Sequence, residues 1–412
     1  MATISLSNWH TSIEPYNIKI KRELSEVLVL TTSEKQSKTD SNKKNDAARS
    51  ALKPRANLFE PLKIRDITLR NRIAVSPMCQ YSSNNGVASD WHLVHLGSRA
   101  IGGASLIIAE ATGVEARGRI TPGCAGLWDD NQIAPLKRIT NFLKEYGAVP
   151  GIQLAHAGRK ASAAVPWDGG ASLSAEEGGW ETIGPSAIAF GGRLTRAPKE
   201  MSIADINQVK KAFVSATERA LAAGYEFLEL HAAHGYLLHS FYSPLSNKRS
   251  DQYGGSFDNR IRLTLETAAE MRKVWPQNLP MAVRVSCSDW TEDGWSIDDS
   301  IELSRRLKEL GIDLIDCSSS NGDRTNKTVP FGPGFQVPFA EAIRREAGIS
   351  TGAVGFITEA AQADEIIRNG RADIVLLARE FLREPYWAVN AGHKLKYAES
   401  TKLPVQYDFY LK

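Results

Sequence analysis

From Leu58 onward the chain repeats one pattern eight times: a short apolar run, then a longer segment with helical period. Strand-like runs lie at 72–77, 105–112, 149–157, 227–233, 281–288, 314–320, 353–357 and 374–379. Between them, 205–223, 259–274, 297–310 and 358–369 carry the apolar spacing of helices packed on one face. Ser202 precedes Asp205 in the order of a cap and first turn, and Gly224 and Gly311 stop their helices. This is the pattern of parallel βα units. Eight of them point to a closed (β/α)8 TIM barrel rather than an open sheet. A barrel of that kind carries its active site at the C-terminal ends of the strands. The expected fold class is α/β, with the barrel and a C-terminal tail at 56–412 and an N-terminal extension at 1–55.

Residues 31–50 of the extension are polar and rich in Lys, Ser and Asn. Such a segment cannot bury enough surface to offset its ordering entropy, so it is expected to be a disordered linker. Glu14, Glu23 and Glu26 argue against an organellar transit peptide, and no secretory apolar region opens the chain. A cytoplasmic location is expected, with organellar targeting left open. Hydrophobic and charged contents of 42% and 24% are those of a soluble globular protein. A net charge of +3 is too small to argue for nucleic acid or an anionic membrane, and no apolar segment reaches the roughly 18 to 20 residues of a membrane span. Cys79, Cys124, Cys287 and Cys317 are too scattered for a disulfide framework or a CxxC metal knuckle, which makes a reducing compartment the default.

The expected strand ends carry chemistry. The first runs into Ser76-Pro77-Met78-Cys79-Gln80-Tyr81, and the third contains Gln153 and leads to His156-Ala157-Gly158-Arg159-Lys160. The fourth delivers His231, His234 and Tyr236, the fifth Arg284, the seventh Gly355 and the eighth Arg379. Two imidazoles can donate to one substrate oxygen and a phenol can deliver a proton, which is equipment for reducing a polarised double bond when a hydride source is near. Gly355 allows close backbone approach to a phosphate, and Arg379 can bind one bidentately. Gln153 both donates and accepts, as the edge of an isoalloxazine demands. Arg284 would stabilise charge developing at the flavin N1/C2-oxygen locus. Each residue also has a plainer reading: Arg284 as a salt-bridged barrel arginine, Cys79 as a small buried hydrophobe, the histidines as satisfied core groups or zinc ligands. The zinc reading lacks an acidic third ligand. The clustering of polar residues at the strand ends favours a site.

The chain from about Leu58 to Tyr407 resembles the Old Yellow Enzyme family of FMN-dependent ene-reductases, in its bacterial, thermophilic-like branch. The matching motifs are SPMCQYS at 76–82, QLAHAGRK at 153–160, HAAHGYLLHSF at 231–241, SPLSNKRSDQYGGS at 243–256, DNRIRL at 258–263, GAVGFIT at 352–358 and ARE at 378–380. The resemblance implies non-covalent FMN held by Ser76, Pro77, Met78, Gln153, Arg284, Gly355 and Arg379, with Cys79 beside its reactive face. It implies that His231 and His234 bind the substrate carbonyl, that Tyr236 is the proton donor, and that Tyr81 and Lys160 line the pocket. NADPH or NADH would reduce the flavin and leave. The enone would then take hydride at its β-carbon from flavin N5 and a proton at its α-carbon. A homo-oligomer, dimer or tetramer, is also implied.

Two features depart from that branch. The tail reads Pro404-Val405-Gln406-Tyr407-Asp408-Phe409-Tyr410, with Phe409 where an arginine completing a neighbouring subunit's site is expected. The stretch 163–190, bearing Trp167 and Trp180, is longer than expected after the third strand and is read as a loop over the barrel mouth. The competing readings are a metal-dependent hydrolase built on the histidines, a flavin-binding protein without turnover, and an iron–sulfur dienoyl reductase. The last would need a cysteine cluster after the barrel.

Overall fold

The structure, a computed structural model, describes residues 57–319, 329–397, 401 and 403–411. The linker expected at 31–50 lies outside the described residues. Eight parallel strands close a barrel in chain order: β1 (Ile73–Val75), β2 (Leu106–Gly113), β3 (Val149–Ala155), β4 (Phe227–Ala232), β5 (Met281–Ser286), β6 (Leu314–Ser318), β7 (Ser350–Ala353) and β8 (Ile374–Leu377). The seam is the β8–β1 pairing, with Val375 opposite Ile73. Around the barrel lie α1 (Asp90–Ile101), α2 (Ile133–Glu145), α3 (Ile203–Ala222), α4 (Phe257–Val274), α5 (Ile297–Glu309), α6 (Val337–Ala347), α7 (Ala360–Arg368) and α8 (Trp387–Lys394).

The helix starts follow from side-chain capping. Ser202 and Asp205 form a reciprocal capping box at α3, and Ser296 and Asp299 repeat it at α5. Each box satisfies backbone N–H groups that the first turn leaves without partners. Along α3 the buried residues Ile206, Val209, Phe213, Ala216 and Ala220 fall on one stripe, which packs into the outer core with Leu228 and Leu230 of β4. Among the described residues no helix is long and apolar enough to cross a membrane.

The period of two in the strands sorts side chains between that outer core and the barrel interior. Leu228, Leu230, Val283, Val285, Ile315 and Cys317 belong to the outer core. The alternate residues give the interior a vertical order. At the base, Ala74, Leu106, Ile108, Val149, Phe227, Ala282, Leu314 and Ile374 form an apolar plug. A hairpin of Leu62–Ile64 and Ile67–Leu69 closes it from below, burying Ile64 and Leu69 against the same cluster. Two residues further along three strands the interior turns charged, with Glu229, Arg284 and Asp316. Two further still stand His231, Ser286 and Ser318.

One strand differs from expectation. The seventh was expected at 353–357, and the structure forms it at Ser350–Ala353. Gly355 at φ +106° and Phe356 at φ +50° are incompatible with an extended strand, so the apolar run Val354–Ile357 is a turn above the barrel. The other seven strands overlap their expected spans over most of their length.

Candidate active site

The fourth strand ends in a tight turn. His234 at φ +62° and Gly235 at φ +73° are successive left-handed residues, which reverse the chain so that Tyr236 can start the short helix Leu237–Tyr242. A Cβ on Gly235 would lie 2.6 Å from the Phe190 ring, so both conformation and space require glycine there. The turn is held from below. Gly235 N–H donates to Nδ1 of buried His239 at 2.6 Å, and His239 Nε2–H donates to Asp289 Oδ1 at 2.9 Å. Asp289 Oδ2 accepts from Ser243 Oγ at 2.6 Å and from the Trp295 backbone at 3.0 Å. Burial pushes the Asp289 carboxyl up, but His239 and these donors outweigh it and keep its pKa below the usual carboxylate range. Lys160 Nζ, 2.8 Å from the His234 carbonyl, clamps the turn from the side.

The sequence-predicted residues His231, His234 and Tyr236 come together. The Tyr236 ring meets His231 edge-on at 4.9 Å between centroids, and Lys160 Nζ sits 4.7 Å from the centre of the Tyr236 ring. His231 Nδ1 accepts from the Ala233 N–H at 3.1 Å, which places its proton on Nε2. That N–H faces His234 Nδ1 at 3.2 Å, so the His234 proton is on Nε2, 2.8 Å from Ser318 Oγ. The two rings meet edge-on, and donation by both to one substrate oxygen requires this contact and the His234–Ser318 bond to be given up. Burial, followed by the charge of Arg284, lowers both imidazole pKa values well below the ordinary histidine value. Burial, with Cys79 and Tyr81 nearby, keeps the Tyr236 phenol well above its ordinary value, so its proton is retained at neutral pH.

Beside this turn opens a cavity of about 260 Å³, lined among others by Ser76, Arg284, Ser318, Gln336, Gly355 and Arg379. Arg284 Nη1 donates to Ser76 Oγ at 3.0 Å, while its buried Nε has no hydrogen-bond partner. Gly355 sits at φ +106°, a conformation that favours glycine, and a Cβ there would also crowd the side chains of Gln336 at 3.1 Å and Phe335 at 3.2 Å. The Arg379 guanidinium lies exposed, 4.4 Å above the Phe356 ring. A glycine cradle and an exposed arginine at one end suit a phosphate, and a buried arginine at the other suits an electron-rich ring edge, so the lining fits an FMN. Gln153 is buried on β3 and donates through Nε2 to Glu229 Oε1 at 2.7 Å.

Pro77, Met78 and Cys79 are half-buried on the segment leaving β1. Burial and the nearby Glu110 hold the Cys79 thiol well above its ordinary pKa, so it is neutral. Glu110 also accepts from the Gln80 N–H at 3.2 Å, fixing this segment against β2. Tyr81 meets Trp167 edge-on at 5.8 Å, which brings the 163–190 stretch to the Tyr81 side of the mouth. The same stretch supplies Phe190, 4.3 Å from Lys160 Nζ, and Trp180, whose ring lies 5.1 Å from the Arg119 guanidinium.

Sequence reasoning drew on every strand end but the second and the sixth, and so missed Ser318, which bonds His234 and lines the cavity. The signal was the Ser318-Ser319-Ser320 run closing the expected sixth strand. His239 and Asp289 were also missed, because a histidine inside an apolar helix and an aspartate in a loop carry no pattern of their own. Among the described residues no three His, Cys, Asp or Glu side chains converge on a metal-sized site.

Fold and cavity together define a class, the TIM-barrel flavoenzymes. The chain belongs to the NADH:flavin oxidoreductase / NADH oxidase family, which it matches over residues 57–397, and within it to the bacterial branch of the Old Yellow Enzymes. It is 47% identical over 353 residues to the NADPH dehydrogenase of Geobacillus sp. (strain WCH70), covering 85% of this chain and 97% of the relative. It is 45% identical to that of Bacillus subtilis (strain 168), over 85% and 98% of the two chains. Among solved structures, the old yellow enzyme homologue from Zymomonas mobilis superposes with a TM-score of 0.66 at 22% identity, over 85% of this chain and 94% of the other. Morphinone reductase does so with a TM-score of 0.69 at 23% identity, over 84% and 91%. These two support the fold. The family and the near relatives make the protein an FMN-dependent NAD(P)H oxidoreductase.

Proposed function

We propose that the protein reduces the activated C=C bond of α,β-unsaturated carbonyl compounds. The observation that carries this reading is Ser318, which lines the cavity that fits FMN and bonds directly to His234 of the histidine pair. Carbonyl-binding donors and a proton donor thus stand against the flavin's place. When bound, FMN takes a hydride from NAD(P)H and passes it to the β-carbon of the alkene.

Within this reading, Ser76, Pro77, Met78, Gln153, Arg284, Gly355 and Arg379 hold the flavin, and Cys79 lies beside its ring. His231 and His234, both neutral, donate to the carbonyl oxygen, where negative charge develops as hydride arrives. Such donors contribute about 100- to 1,000-fold each. Tyr236 gives its phenolic proton to the α-carbon, which balances the hydride and leaves a saturated ketone. Lys160 lines the pocket beside it, and its cation holds the turn and stabilises the phenolate left behind. Tyr81 lines the mouth opposite, with Trp167 at its edge.

The test is an anaerobic one. Enzyme reduced by one equivalent of NADPH or NADH, then mixed with cyclohexenone, should return to the oxidised flavin spectrum and yield cyclohexanone. A flavin that stays reduced with this and with acyclic enones and nitroalkenes would overturn the reading. The protein is also proposed to be a homo-oligomer. Val405 and Phe409 on the C-terminal helix are each 79% exposed, an apolar face that a second copy can cover. Light scattering that gives a monomer mass at micromolar concentration would exclude it.

A further inference from the structure

Below the histidine layer, the barrel interior holds two carboxyls and one guanidinium. Glu229 and Asp316 are each 0% exposed and Arg284 7%. Arg284 Nε lies 3.3 Å from Asp316 Oδ2, and Gln153 Nε2 donates to Glu229 Oε1. Glu229 Oε2 and both Asp316 oxygens are buried without a hydrogen-bond partner. The register explains the grouping: Gln153 is opposite Glu229, Arg284 is opposite Asp316, and His231 is opposite Arg284 on its other side. With both carboxyls ionised, this layer would hold a net negative charge in a water-poor interior, and an unpaired buried charge is strongly disfavoured.

We propose that Glu229 is a positioning residue for the flavin, which keeps one proton for the carboxyl pair and turns the Gln153 amide so that its oxygen and second N–H face the ring edge. Asp316 takes the ionised role because it is the carboxyl beside Arg284. Glu229, neutral, accepts from Gln153 through its carbonyl oxygen. The layer is then electrically balanced, and the Arg284 guanidinium can meet a reduced flavin without a second carboxylate competing for it. The groups facing Glu229 are Gln153 from β3, Arg284 from β5 and Asp316 from β6. Burial first, and then the charge of Asp316, push its pKa up to about 8, against the opposing effects of Arg284 and Gln153. Burial raises Asp316 as well, with Arg284 opposing.

The inference rests on Gln153 and Arg284 contacting the flavin and is independent of which substrate is reduced. Its test uses the FMN dissociation constant and the reduction potential as functions of pH, in the full-length holoenzyme. Glu229→Gln replaces a neutral acid by a neutral amide of the same shape. At pH 6 it should bind FMN within about twofold of the parent, with the same potential. Glu229→Leu leaves the Gln153 amide unpaired and should weaken FMN binding about tenfold, the scale of one hydrogen bond. Above about pH 8 the parent's potential should fall more steeply with pH, since a new carboxylate opposes electron uptake, and Glu229→Gln should show no such bend. Melting curves establish that each variant is folded. Gln153→Ala separates the causes of failure. If it weakens FMN binding while Glu229→Leu does not, the role of Glu229 is wrong. If Gln153→Ala has no effect, the flavin contact falls and the inference with it. A parent potential without a bend up to pH 10, together with a Glu229→Gln potential raised above the parent's at pH 6, would overturn the shared proton, because a carboxylate ionised throughout gives both results.

Discussion

The two ends of the barrel interior are built from the same strands and obey opposite rules. At the base, Phe227, Ala282 and Leu314 fill space against the hairpin residues Ile64 and Leu69 and carry no polar atom in their side chains. Four residues later on those strands, His231, Ser286 and Ser318 are equally buried and almost every polar atom is engaged. Between them lies the charged layer of Glu229, Arg284 and Asp316. Stability is concentrated below and chemistry above, and one strand can serve both because a β-strand returns to the same face every two residues.

The sharpest way to break this division is at Tyr236. Its change to Phe should slow reoxidation of the flavin by cyclohexenone by about 100- to 10,000-fold. Reduction by NAD(P)H should change little, because only the reoxidation needs a proton delivered to carbon. Rapid mixing resolves the two steps, and the melting temperature should hold. Equal slowing of both would remove Tyr236 from the acid role.

At the base the effect should invert. Phe227→Ala is expected to cost about 3–5 kcal/mol of stability, read by denaturant unfolding, with turnover per folded molecule unchanged. A large loss of turnover in the fraction that remains folded would mean that base and mouth are mechanically coupled.

The histidines test both sides at once. Replacing His231 or His234 by Ala should slow enone reduction by about 100- to 1,000-fold and weaken phenolic ligands, while FMN content survives. Both imidazoles have lowered pKa values, so below about pH 6.5 the unfolded chain binds protons that the folded one does not. Stability therefore falls as the pH drops through that value, and each His→Ala variant should show a shallower acid loss. Unfolding midpoints between pH 5 and 8 check the slope.

The smallest effect is expected at Cys79, on the rim. On the proposed flavin placement, a neutral thiol there would interact unequally with its two redox states, and about 30 mV corresponds to roughly 1.4 kcal/mol for a two-electron couple. Cys79→Ala should move the potential by about this much and leave the fold intact. An unmoved potential with a lowered melting temperature would make Cys79 a packing residue.

The barrel was legible because its period is enforced by burial on both faces of the strands. Where burial does not decide, the sequence misled: Val354 to Ile357 is apolar, yet two positive φ values make it a turn, and backbone sign leaves no trace in hydrophobicity. The histidine turn was legible because two imidazoles and a phenol in six residues are rare at a strand end. Glu229 was in plain view in Phe227-Leu228-Glu229-Leu230, but a single acid in an apolar run does not declare its partners. Those partners are Gln153, Arg284 and Asp316, brought from three other strands, and the register of β3 to β6 makes them neighbours. The same holds for Asp289, whose link to the histidine turn passes through the His239 ring.

The seam between β8 and β1 joins the first and last strands of the barrel. The Leu58 backbone bonds to the Asp364 side chain across 306 residues, and Arg72 reaches the Asp373 carbonyl across 301. Contacts of that sequence separation form late and slowly, because the intervening chain must first be in place. A ribosome-bound chain still lacking β8 therefore has neither a closed wall nor Arg379, and its strands present open edges. The cavity lined by Ser76, Gly355 and Arg379 is complete only when these last units are in place, and a ligand that binds there favours the closed barrel by mass action. Removing even the last strand would cost the whole assembly, base and mouth together.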